Sequence, residues 1–135
     1  LDSGTIKRNK NAKVYALTKN DIGIKDISVT KQPDGTVAFN LSVINKSAIQ
    51  AKSGSVFLRI CETCEFAEEP KRFRRPTGAE AYDREMHFDS MMAKTGFAIP
   101  LRVKVPAGVH RIEIAVTVRC ENCVVRQSEL LHVNW

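Results

Sequence analysis

The chain has 135 residues, 43% hydrophobic and 27% charged, the proportions of one ordinary globular domain that can bury a core without cross-links. No apolar run approaches the roughly 20 residues of a membrane-spanning helix, so no membrane insertion by this segment is expected. The net charge of +6 is compatible with an anionic partner, but the cations are spread over most of the chain.

The chain starts at Leu1 rather than Met, and its opening LDSGTIKRNKNAK is polar and basic. A processed or excised piece is expected, with residues 1–20 as a flexible basic segment and residues 21–135 as one domain. The first extended segment carries Ile22, Ile24, Ile27 and Val29 and changes phase around Lys25 and Asp26, which predicts a bulge or a strand that switches sheets. Gln32-Pro33-Asp34-Gly35 then predicts the turn of a hairpin, because Pro presets φ and Gly accepts positive φ.

Beyond the turn, Val37, Phe39, Leu41 and Val43 share one face at period two, the signature of a strand with one side buried. NKSAIQAKSG breaks the pattern, and SVFLRI resumes it with Val56, Leu58 and Ile60. Residues 61–78 read as a polar loop. Over residues 75–96 the expectation is a short helix: Thr77 and Glu80 fit a capping box, Tyr82, Met86, Phe88, Met91 and Met92 line one side, and Gly96 stops it. An extended EMHF is the alternative. Ile99, Leu101, Val103 and Val105 form the next strand, PAGVH separates it from Ile112, Ile114, Val116 and Val118, and VVRQSELLHVNW reads as a sheet edge.

About seven strands and one short helical insertion make an all-β antiparallel sandwich. The order of strands and turns over residues 21–135 resembles the immunoglobulin-like and fibronectin type III-like sandwiches, as a pattern of fold and not as a motif. The cysteines are not placed singly on two facing core strands and Trp135 is the last residue, so the resemblance implies no antibody-like assembly.

Two CxxC motifs, CETC at Cys61 and Cys64 and CENC at Cys120 and Cys123, admit three readings. A four-cysteine zinc site would draw all four thiolates to about 2.3 Å from one ion. If SVFLRI and RIEIAVTVR are antiparallel neighbours, however, the motifs lie roughly 30 Å apart at about 3.3 Å per residue. Local disulfides, Cys61 to Cys64 and Cys120 to Cys123, need only a β-turn each, whose ends approach within about 7 Å. Redox-active thiols would need a depressed pKa, which Glu62, Glu65 and Glu121 oppose. Local disulfides are the preferred reading and imply an extracytoplasmic place; a cytoplasmic zinc-stabilised module is the alternative.

The densest basic run is KRFRR, where Lys71, Arg72, Arg74 and Arg75 surround Phe73 as a possible anion or partner contact. Glu65, Glu68 and Glu69 stand just before it and can pair with these cations, so nucleic acid is not the expected partner. Asp83, His87 and Asp89 are the nearest approach to an acid-base cluster; on a helix Asp83 would face His87. No nucleophile motif, phosphate loop or paired-histidine signature accompanies them, and His110 and His132 read as structural. The expected function is a non-enzymatic binding module of an exported or membrane-anchored protein, without a cofactor, that uses loops or a sheet edge to hold a protein partner.

Overall fold

The computed structural model describes residues 16–18, 21–76 and 82–135. Its strands in chain order are β1 (Ile22–Lys31), β2 (Thr36–Asn45), β3 (Ala51–Arg59), β4 (Glu65–Phe66), β5 (Arg84–Met91), β6 (Gly96–Lys104), β7 (Arg111–Cys120) and β8 (Gln127–Asn134). They form two antiparallel four-stranded sheets, in the orders β1-β2-β6-β4 and β5-β3-β7-β8.

The period-two side chains meet between the sheets. Val37, Phe39, Leu41, Val43, Ile99, Leu101 and Val103 come from one sheet, Val56, Leu58, Ile112, Ile114, Val116 and Val118 from the other, and all are buried in one continuous cluster. That apolar face is what drives the two layers together. Trp135 closes one side, half-buried with its ring edge-on to Phe39 at 5.9 Å.

The expected hairpin is present: Gly35 has φ +88°, and Asp34 Oδ1 accepts from the Thr36 amide at 3.0 Å and its hydroxyl at 2.7 Å. The phase change in β1 is a register shift between Ile24 and Asp26.

The helical insertion is a correction. Residues 84–91 are β5, paired with β3 from Leu58 opposite Arg84 to Ala51 opposite Met91. Thr77 and Glu80 lie outside the described residues. Met86 and Phe88 fit a helical stripe, yet they also alternate with exposed His87 and Asp89. The open side of β3 decided between the two periods, because a strand there satisfies backbone groups on both. β4 is a further strand within the expected polar loop.

Candidate functional site

At one end of the sandwich β3 runs into the Cys61–Cys64 turn. The Cys64 amide donates to the Cys61 carbonyl at 3.0 Å, and the two Cα atoms are 5.1 Å apart, a separation that a disulfide spans. The chain then adds β4 to β6, with Glu65 opposite Lys104 and Phe66 opposite Val103.

Facing this turn is Arg84, the first residue of β5, which follows the inward phase of Met86 and Phe88 and is only 7% exposed. A buried guanidinium needs its donors satisfied. Nε and Nη2 both donate to the Glu69 carboxylate at 2.8 Å, Nη1 donates to the Asp83 carbonyl at 2.7 Å, and the group lies 4.8 Å from the centre of the Phe66 ring. The Arg84 hydrogen bond, joined by the charges of Arg84 and Arg75, holds the Glu69 carboxyl below its usual range against a smaller opposing effect of burial.

Between the turn, β5 and the start of β7 lies an open trough of about 1070 Å³. Cys61 and Cys64 line it beside the Arg84–Glu69 pair, with Arg59, Arg111, Glu62 and Glu65 also on its walls. Leu130, 53% exposed, adds an apolar patch through Ala115, its cross-strand neighbour. Asp83 Oδ2 accepts the Ile60 amide at 2.8 Å, and Glu113 pairs with His132 at 3.1 Å.

The basic run is divided between this end and the far end of β6, where Phe97 lies seven residues from the Lys104 that faces Glu65. Arg75 lines the trough, the Arg74 amide and carbonyl bond to Glu85, and Arg72, at φ +71°, places its guanidinium 5.9 Å from the Phe97 ring centre. Phe73 turns inward against the core, and Lys71 is exposed beside Pro70 in a separate recess that Glu68 and Arg102 also line. Glu69 takes the buried Arg84 as its bidentate partner, a residue that sequence reading did not single out. Its one signal was an arginine in phase with Met86 and Phe88.

The second cysteine pair occupies the opposite end. The Cys123 amide donates to the Cys120 carbonyl at 3.1 Å, with Cα atoms 5.0 Å apart. Cys120 faces Gly54 across the β3–β7 ladder, where an added Cβ would lie 2.1 Å from the Arg119 carbonyl oxygen. Only glycine allows that approach. Cys61 follows Gly54 by seven residues, so the motifs stand roughly 23 Å apart at about 3.3 Å per residue.

Beside Cys123 lies Leu17, fully buried, whose amide donates to the Asn122 carbonyl at 2.7 Å and whose carbonyl accepts from Val124 at 2.8 Å. Gln127, 3% exposed, ties the same segment down: its Oε1 accepts from the Asp21 and Ile22 amides, and its Nε2 donates to the carbonyls of Thr18 and Val125.

His87 lies within 3.5 Å of the Ser53 hydroxyl and 3.4 Å of the Ser55 hydroxyl. On a strand Asp83 and His87 are roughly 13 Å apart along the chain, so the i to i+4 pairing expected of a helix does not form. Among the described residues no group of three or more His, Cys, Asp or Glu side chains has metal-binding geometry.

The arrangement of strands is similar to the GAE domain of GGA2p from Saccharomyces cerevisiae, with a TM-score of 0.54 at 8% identity over 85% of this chain and 89% of that one. The fold is an immunoglobulin-like β-sandwich. Two further matches are the human F-spondin reeler domain (TM-score 0.47, 7% identity, 93% and 97% covered) and the collagen-binding domain of a Staphylococcus aureus adhesin (0.46, 7%, 91% and 99%). Such identities speak to fold alone. No protein-family model matches the chain, and no curated protein does.

Proposed function

We propose that this sandwich is a non-enzymatic binding module of an exported or membrane-anchored protein, and that the trough at the Cys61 end receives a protein partner. The observation that carries this reading is the trough itself: a bidentate Arg84–Glu69 pair and the Cys61–Cys64 turn fix its walls, while Arg59, Arg111, Glu62 and Glu65 present charges of both signs around an apolar patch. Fixed walls with adaptable charged rims suit recognition of a polypeptide surface. The continuous core supports residues 21–135 as one domain, and Leu17, just before it in the chain, is packed into the same core.

Both CxxC motifs close as disulfides in this reading. Each pair sits at disulfide distance in its own turn, and the separation of the turns weighs against one ion drawing on all four sulfurs. Disulfides in turn favour an oxidising compartment. A photoreactive residue at Glu62, compared with one at Lys52 on the opposite end, tests the trough in cells that make the natural protein. A discrete protein adduct from Glu62 and none from Lys52 is expected. Equal labelling from both, or none from Glu62, would refute the assignment.

A further inference from the structure

Among the described residues the two sheets have four outer edges, at β1, β4, β5 and β8, and three carry a guard over part of their length. β1 carries the bulge at Ile24 and Asp26 and closes toward β8, where the side chains of Gln127 and Glu129 accept its first amides. β4 has two residues, and Pro100 in the neighbouring β6 has no donor to offer. The fourth edge is β5.

The chain itself shows how that edge is used. Glu85 exchanges both backbone hydrogen bonds with Arg74, at 2.9 and 2.8 Å, on the side away from β3, and the Arg74 guanidinium stands 4.0 Å from the Glu85 carboxylate. This is one residue of antiparallel strand addition with an opposite-charge cross-strand pair. Because backbone groups alternate sides along a strand, the N–H and C=O of His87 and Asp89 point the same way as those of Glu85. Neither is engaged there among the described residues, and both side chains are exposed. The edge is regular, since every β3–β5 pair keeps one register, and no Lys or Pro blunts it between Met86 and Met91.

We infer that the outer edge of β5 is a docking edge, which accepts an extended segment of a partner protein as an added antiparallel strand with a cationic side chain opposite Asp89. The cation is the counterpart of Arg74 opposite Glu85. The open stretch spans about 20 Å, the length of a peptide of about six residues. It is too small to bury the roughly 1,200 Å² of a stable protein pair, which favours a peptide strand over a second copy of this chain. β5 begins at Arg84 on the trough wall, so a strand laid here runs toward the trough, although the two surfaces are separate and fail separately.

The test selects binders from a displayed library of random short peptides and maps them by amide shifts and exchange. The expected binders carry Lys or Arg, protect the His87 and Asp89 amides, and leave those of Met86 and Phe88, already on the β3 side, unchanged. The double variant His87→Pro and Asp89→Pro removes two outward donors without touching the β3 ladder, and should weaken binding by at least about tenfold. Asp89→Lys keeps the backbone and should weaken the same peptides, so the outcome stays readable if the proline variant does not fold. Arg59→Ala with Arg111→Ala, in the trough, should leave this binding intact. Binders that ignore both edge variants, absence of any selected binder, or a self-associated protein protected at His87 without peptide would each overturn the inference.

Discussion

Replacing Leu17 with alanine probes the least anticipated contact in the fold. The side chain is fully buried while both backbone groups of Leu17 are bonded to residues 122 and 124, so the substitution removes side-chain packing and leaves the hydrogen bonds possible. Truncating a buried leucine costs about 2 to 5 kcal/mol, and about 3 is a fair central value for a residue that joins the core from a short segment. A chain of 135 residues has an unfolding entropy near 0.28 kcal/mol/K at about 2.1 cal/mol/K per residue, so the thermal midpoint should fall by about 10 °C. In urea, with a slope of about 1.5 kcal/mol/M, the midpoint should drop by about 2 M. Calorimetry and urea titration of the unreduced protein provide the assay, and hydrogen exchange separates two ways of losing the energy. If the segment peels away before the sandwich unfolds, the Leu17 and Val124 amides lose protection while those of β7 keep it, and the midpoint falls by less. A shift below about 2 °C with both amides still protected would refute the placement of Leu17 in the core.

Gly54→Ala forces a Cβ to 2.1 Å from the Arg119 carbonyl oxygen and should cost about 3 kcal/mol or prevent folding, read from a denaturant midpoint. The Asp34 carboxyl is held below its usual value first by the Thr36 hydroxyl, then by the Thr36 amide and Arg102, with burial opposing. A depressed folded pKa contributes stability above the unfolded value that is lost as pH falls through the folded one, so Asp34→Asn should flatten the decline of the thermal midpoint below about pH 4. Glu69 follows the same sign through Arg84, and Glu69→Gln should flatten the same limb while lowering the midpoint at neutral pH, because the buried guanidinium keeps a neutral partner in place of a charged one. Reduction of both cysteine pairs should destabilise the protein by roughly 1 to 2 kcal/mol per small loop without changing the strand content seen by circular dichroism.

Strands with one wet face were legible, because Val37 to Val43 and Ile112 to Val118 alternate without interruption and only one sheet face can bury them. The hairpin at Pro33–Gly35 and the β1 bulge were legible for equally local reasons. The placement of the two cysteine motifs at opposite ends followed from one assumption, that β3 and β7 are antiparallel neighbours, and they are. β5 was misread because Met86, Phe88 and Met91 satisfy a helical stripe and a strand face at once; the deciding term, an open β3 edge, is nonlocal. Leu17 ends a four-residue apolar run that starts at Val14, too short between polar flanks to set a period. The trough was illegible for the same physical reason. Its walls come from the Cys61 turn, β5 and β7, and only the folded chain brings Arg84 to Glu69.

Whether each CxxC motif closes on itself is read from the intact mass of natively purified protein, alkylated before and after reduction, with metal analysis on the same sample. Two local disulfides predict no alkylation before reduction, four modified cysteines after it, peptides joining Cys61 to Cys64 and Cys120 to Cys123, and no bound zinc. One zinc per chain, with four thiols that become reactive on chelation, would contradict them.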